Sequence, residues 1–144
     1  MSLIRDHAIR LLSRREHSRF ELKQKLLQKR FPEKEIEKTL DQLTQENLQS
    51  DDRFAHSYVR YRTQAGFGPL RLIAELHERG IVNHMIACLV DMHSDQWEKQ
   101  LQVVAKKKFS DIPAKNLKEK NKQFRFLISR GFSADMIAHI ASPS

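Results

Sequence analysis

This 144-residue chain reads as an all-α protein built from three tandem three-helix repeats, and three observations carry that reading. Apolar residues recur at helical spacing along the whole length, and no stretch sustains the period-two alternation of a half-buried strand. The four glycines and four prolines fall where helices would end. Laid on itself, the chain repeats. Leu22, Leu26, Phe31 and Ile36 match Leu72, Leu76, Ile81 and Ile86 at an offset of 50, and Leu76, Gly80, Ile81 and Ile86 match Leu127, Gly131, Phe132 and Ile137 at an offset of 51. A module of that size buries little alone, so three in a row imply stacking into an elongated, curved, right-to-left solenoid-like body with a wide groove. The expected repeats are residues 1–48, 49–93 and 94–144.

The first helix is expected over Leu3–Glu16, with Ile4, Ala8, Leu11 and Leu12 on one face. Ser18 and Glu21 stand at capping-box spacing and open a second helix through Leu22, Leu26 and Leu27. Phe31-Pro32-Glu33 restarts the chain, with Pro32 in the first turn, Glu33 and Glu35 at the positive end of the dipole, and Ile36, Leu40 and Leu43 as the buried stripe. Arg30 stands where the later repeats have Gly80 and Gly131, which weakens the case for a left-handed cap there.

The sharpest stretch runs from Asp51 to Gly80. Ser50 and Asp51 offer side-chain oxygens to the first free amides of a helix whose apolar face is Phe54, Ala55, Tyr58 and Val59. Asp51 and Asp52 are adjacent carboxylates, but consecutive residues at a helix start point different ways, so capping outweighs acid–base work. Gly66 ends the helix. In Gly66-Phe67-Gly68-Pro69, glycine takes a left-handed cap and Pro69 suits the first helical position, whose amide needs no partner. The following helix, through Leu72, Ile73 and Leu76, stops at Gly80. Asn83 is expected to cap a short helix carrying Met85, Ile86, Leu89 and Val90, with Cys88 as a small core residue. Asp95 and Glu98 form a second capping-box pattern, opening a helix with Trp97 in the core that runs through Leu101, Val104 and Ala105 into Lys106-Lys107-Lys108. Residues 110–115, with Pro113, are the expected loop. A basic helix through Phe124, Leu127 and Ile128 stops at Gly131, Ser133 caps the last helix, and Ser142-Pro143-Ser144 should fray.

Charge narrows the function. The net charge is +8 and charged residues make up 31%, which favours a polyanionic partner or an acidic protein surface. It is unevenly shared: 11 basic and 8 acidic residues in 1–48, 5 and 5 in 49–93, 10 and 5 in 94–144. No segment approaches the roughly 20 apolar residues that cross a bilayer, and the N-terminus is too charged for a secretory signal, so a cytoplasmic protein is expected. The single cysteine permits no internal disulfide. The seven histidines show no i, i+4 pair, no metal site or cofactor is expected, and the glycines of 66–69 lack the lysine and hydroxyl of a nucleotide loop. No catalytic group emerges, and an enzyme is not expected. Binding is better supported, through Arg14, Arg15, Arg19, Lys25, Lys29 and Arg30 in the first repeat, Arg60, Arg62 and Arg71 in the second, and Lys106, Lys107, Lys108, Lys118, Lys122 and Arg125 in the third, beside Lys115 and Lys120. Phe67 sits where it could stack on a base or pin a partner, although a ring in such a tight loop more often packs back on its own module.

The string Asp51-Asp52-Arg53-Phe54-Ala55, then Tyr58-Val59-Arg60, Gly66-Phe67-Gly68-Pro69, Glu75-Leu76 and Arg79-Gly80-Ile81 resembles the central signature of the RecX family. Ser18 to Leu22, Trp97 with Lys106 to Phe109, Arg125-Phe126-Leu127 and Arg130-Gly131-Phe132 extend the resemblance over nearly the whole chain. It implies tandem three-helix repeats and no catalytic residues. The implied partner is the filament of RecA on single-stranded DNA, whose ATPase, strand-exchange and coprotease activities such proteins inhibit. DNA, single- or double-stranded, is a further partner through the basic faces, and a monomer is expected. The competing reading is a basic helical module acting directly on DNA, since three-helix units also build helix-turn-helix readers. Against it, no helix gathers arginine, asparagine and glutamine in the pattern that reads base edges.

Overall fold

The computed structural model describes residues 3–110, 112 and 114–141. Asp111 and Pro113 of the expected loop and the terminal Ser142-Pro143-Ser144 lie outside the described residues. Helices α1 (Leu3–Arg14), α2 (Arg19–Gln28), α3 (Glu33–Gln45), α4 (Asp51–Gln64), α5 (Pro69–Glu78), α6 (Asn83–Leu89), α7 (Asp95–Lys108), α8 (Leu117–Ser129) and α9 (Ala134–Ala141) follow one another, with no strand among the described residues. The all-α repeat fold is as expected.

The chain divides into two compact units, Met1–Tyr58 with Leu76–Leu89, and Val59–Glu75 with Val90–Ser144. The helices of the middle repeat are therefore shared, α4 and α5 each contributing to both. In the first unit, Ile4, Ala8, Leu22, Leu26, Ile36, Leu40 and Leu43 form one buried cluster, lined by the partly buried Leu11, Leu12, Leu27 and Phe31. In the second, Leu72, Trp97, Leu101, Val104, Ala105, Leu127, Phe132 and Ile137 are buried. Of the leucines, isoleucines and phenylalanines that define the repeat, all are buried except Phe31, which is partly so. Each such side chain removed from water contributes about 1.5–3 kcal/mol, so the repeat is a repeat of the core.

The cap after the second helix of each module is also repeated. The Arg30 amide donates to the Leu27 carbonyl (2.9 Å) and the Phe31 amide to Leu26 (3.3 Å); Gly80 and Ile81 do the same to His77 and Leu76 (3.1 Å each), and Gly131 and Phe132 to Ile128 (3.0 Å) and Leu127 (3.2 Å). This is the two-bond Schellman cap, whose pivot residue is left-handed. The pivots have φ of 65° at Arg30, 78° at Gly80 and 102° at Gly131. The cap weakened in expectation at Arg30 thus forms there, with an arginine carrying the strain that glycine avoids.

Several caps differ from the expected ones. Ser50 alone caps α4, its Oγ accepting from the Arg53 amide at 3.1 Å. Asp51 Oδ1 instead accepts from the Arg19 amide (2.8 Å), the first residue of α2, and from Gln49 Nε2 (3.0 Å). Pro32 is the N-cap of α3 and lies outside its first turn. Asn83 is already inside α6, and Ser94 rather than Asp95 caps α7. Asn116 caps α8 through the Glu119 amide, 2.9 Å, while Ser18–Glu21 forms the full reciprocal box. Cys88 is exposed, with Sγ 4.0 Å from His84 Nε2, rather than a core residue, because α6 turns its buried side through Ile86.

Candidate functional site

The two glycine motifs of the second unit dock backbone to backbone. The Gly68 amide donates to the Arg130 carbonyl (2.7 Å) and the Leu70 amide to the Gly131 carbonyl (2.9 Å). A Cβ on Gly68 would lie 2.7 Å from the carbonyl carbon and oxygen of Gly131 and 2.9 Å from Phe132, so glycine is required by close approach rather than by φ. This docking turns Phe67 out of the tight connection and into a ring of guanidinium groups. Arg62 lies 3.7 Å from the Phe67 ring centre, Arg71 4.5 Å and Arg130 4.8 Å. Phe67 packs back on arginines of its own chain, two of them from its own repeat, and any contact of this ring with a partner must compete with them.

Cations gathered this closely need a counter-charge. Glu75 supplies one, accepting from Arg62 Nε (2.9 Å) and Nη2 (2.7 Å) and from Arg71 Nε (3.0 Å). The Arg62 and Glu75 side chains are 19% and 14% exposed, so this forked pair is largely internal. Arg71 Nη1 also donates to the Ser129 carbonyl, 3.0 Å. Three arginines thus converge on the Phe67 ring, two of them bonded to the Glu75 carboxylate. From Arg130 the positive surface continues, since its guanidinium also lies 5.1 Å from the Phe126 ring and Lys108 Nζ lies 5.4 Å from the same ring. Phe109 meets Phe126 edge-on at 5.5 Å.

In the first unit the predicted cations separate into two kinds. Arg19 is taken up internally, bonded to Glu37 and Asp41 (2.8 Å each), while Lys23 bonds Glu37 (2.7 Å) and Glu33 (3.1 Å). Hydrogen bonds from Lys23 and then Arg19 hold the Glu37 carboxyl below its ordinary range. Arg15 pairs with Glu21 at 3.1 Å. Lys25 Nζ sits 3.0 Å from Nε2 of His17, whose Nδ1 lies 3.0 Å from the Arg15 carbonyl. Burial pushes the His17 pKa down, and a neutral ring that donates from Nδ1 and accepts from Lys25 satisfies both contacts. Arg14, Lys29 and Arg30 are exposed and make no ion pair with another described residue. The same holds in the second unit for Arg60, Lys106, Lys107, Lys118, Lys122 and Arg125.

Two residues that matter here were not singled out from the sequence. Arg130 was read only as part of a helix-ending motif, although its place one residue before a left-handed glycine puts it beside whatever docks on that turn. Gln49 was not read at all. It is 2% exposed and ties Thr44 Oγ1 (2.9 Å), the His17 carbonyl (3.3 Å) and Asp51 Oδ1 (3.0 Å) into one network around its buried amide. No group of three His, Cys, Asp or Glu side chains among the described residues is arranged to hold a metal ion, and no helix of the described residues is long and apolar enough to cross a membrane.

An all-helical repeat protein with exposed cations that make no ion pair among the described residues is the class that this fold and these charges define. Family models narrow it. The first three-helix domain of RecX matches residues 5–43, the second 50–88 and the third 95–140. The chain is 41% identical over 139 residues to the regulatory protein RecX of Pseudomonas fluorescens, covering 96% of this chain and 90% of that one. It is 44% identical over 135 residues to the regulatory protein RecX of Mannheimia succiniciproducens, covering 92% and 88%. Among solved structures, RecX from Lactobacillus salivarius superposes with a TM-score of 0.77 at 26% identity, covering 95% of this chain and 91% of that one. The protein belongs to the RecX family of regulatory proteins.

Proposed function

We propose that the protein is a regulator of the RecA recombinase. It binds the RecA filament on single-stranded DNA and lowers its ATPase, strand-exchange and coprotease activities, and so modulates recombination, DNA repair and the SOS response. The observation that carries this reading is family membership along all three domains, with relatives named as regulatory proteins. The charge geometry supports a binding role: the solvent-facing cations, Arg14 and Lys29 in the first unit and Arg60, Lys118, Lys122 and Arg125 in the second, make no ion pair among the described residues. Those side chains meet acidic subunit surfaces or exposed phosphate, and the bound protein hinders filament growth or the rearrangement that accompanies ATP turnover. It acts as a cytoplasmic monomer, without cofactor or catalytic step.

The test is RecA's single-strand-dependent ATP hydrolysis titrated with this protein, beside binding of labelled single-stranded DNA alone at several salt concentrations. Loss of ATPase at a small fraction of the RecA concentration, with weak binding to free DNA, is the expected result. Unchanged ATPase with tight DNA binding, its log affinity falling by about 0.7 per neutralised phosphate against log salt, would leave the direct DNA-binding module in its place.

A further inference from the structure

The second unit contains a cleft of about 240 Å³ between the end of α4, α7 and α8, whose polar walls include Thr63, Gln100, Lys107, Lys108 and Arg130 beside the ring of Phe126. From this cleft we infer a phosphate-binding site, one that does not depend on the RecA reading.

Its first feature is charge without counter-charge. Three cations line it and no carboxylate does. Lys107, Lys108 and Arg130 make no ion pair with any described residue, in contrast to Arg62 and Arg71, which share Glu75. The second is how two of these cations are held. Lys108 and Arg130 both lie over the Phe126 ring, at 5.4 and 5.1 Å. An aromatic face attracts a cation through its quadrupole but leaves its charge intact. Phe126 is therefore a positioning residue that orients positive charge without quenching it, and Phe109, edge-on against it, fixes the ring. Arg130 is held from its other flank by Phe67. The third feature is the floor. Gln100 is anchored by its amide on the Thr63 carbonyl, and the Thr63 hydroxyl is buried without a hydrogen-bond partner among the described residues, a polar group that the protein leaves unsatisfied.

A concave site with one sign of charge focuses its field on whatever enters. A guanidinium fork and two ammonium groups suit the several oxygens of a phosphate better than a single carboxylate, because phosphate accepts from several donors at once. The site takes a phosphate group, carried by a nucleotide or by the backbone of a single strand.

The experiment uses the full chain and two variants with equal loss of charge. In Lys107→Gln/Lys108→Gln two cations leave the cleft; in Lys34→Gln/Lys38→Gln two solvent-facing lysines of α3, outside it, are lost. Each protein is titrated with inorganic phosphate, with thymidine monophosphate and with a labelled oligothymidylate, reading backbone amide shifts and anisotropy. The expected result is phosphate-induced shifts centred on residues 63–66 and 107–108. Affinity should fall at least tenfold in the cleft variant and less than twofold in the α3 variant. Phe126→Leu, which keeps the apolar volume but not the quadrupole, should weaken binding several-fold at unchanged charge. Equal affinity for mononucleotide and oligonucleotide identifies the nucleotide as source, and a large preference for the oligonucleotide identifies the strand. Equal losses in both double variants would reduce the effect to diffuse charge and overturn the site. So would an oligoglutamate peptide that competes more strongly than any phosphate, which would make the cleft an acidic-peptide site.

Discussion

At position 30 an arginine does a glycine's work. It holds φ at 65° in a cap whose two counterparts are Gly80 and Gly131, and a left-handed L-residue carries about 1–2 kcal/mol of strain. Arg30→Gly should raise the stability by about 0.5–1 kcal/mol, part of the relief being lost to glycine's greater unfolded entropy, seen as a higher urea midpoint at unchanged slope. His17 makes the opposite kind of prediction. It is 1% exposed, and burial lowers its pKa from 6.5. The unfolded chain therefore takes up the proton first, so the stability tied to neutral His17 is complete above 6.5 and is lost as pH falls from there through the folded pKa. Stability followed by denaturant midpoints should drop between about pH 7 and 5, and the His17→Gln chain should show a flatter profile. An equally steep drop in that variant would put the acid sensitivity elsewhere.

The elements are joined by contacts that few residues make. In the second unit, Glu75 on α5 receives the forked guanidinium of Arg62 on α4. Glu75→Gln leaves Arg62, 19% exposed, and Arg71 without their counter-charge. The expected cost is about 1–3 kcal/mol, below that of a fully buried pair because solvent still screens the site. Arg62→Lys loses the fork and should cost a smaller part of that, as thermal unfolding of the two variants would report. The backbone docking of the α5 start on the turn after α8 is more exacting. Gly68→Ala places a methyl 2.7 Å from the Gly131 carbonyl, and the expected loss is about 3 kcal/mol, at the upper end of overpacking. A loss under about 1 kcal/mol would mean that the two turns separate easily. By contrast, a Cβ on Gly66 meets only Val104, at 3.5 Å, so Gly66→Ala should cost only the strain of its φ of 97°, about 1 kcal/mol.

For the molecule as a whole, the proposed binding draws on other cations than the fold does. Arg19, Arg15 and Lys23 are spent on internal carboxylates, whereas Arg14 and Lys29 are exposed without an ion pair among the described residues. Arg14→Gln/Lys29→Gln should leave stability within about 0.5 kcal/mol, as for surface substitutions in general, while weakening inhibition of RecA's ATPase more at low salt than at high salt. Unaltered inhibition at every salt concentration would remove the first repeat's free cations from the proposed contact.

Helical spacing, capping pairs and the 50-residue period were enough to read the all-α class, the repeat and nearly every buried position, because burial of an apolar stripe is a local pattern that repeats with the backbone. The family was legible for the same reason, its motifs lying at turns where glycine, proline and cap residues are required. The partners of individual polar side chains were not legible. Asp51 bonds the first amide of α2, and the buried Gln49 sits at the centre of a hydrogen-bond network. Arg130 lies against two aromatic rings from different parts of the chain. The left-handed cap at Arg30 shows the same division: tertiary packing around the turn outweighs a local preference of about 1–2 kcal/mol. A sequence specifies which residues want to be buried or to cap a helix. Which carboxylate meets which arginine, and which cations stay exposed without an ion pair, depends on contacts 13 to 37 residues apart, such as Arg62–Glu75 and Arg53–Glu16, which exist only once the helices have packed.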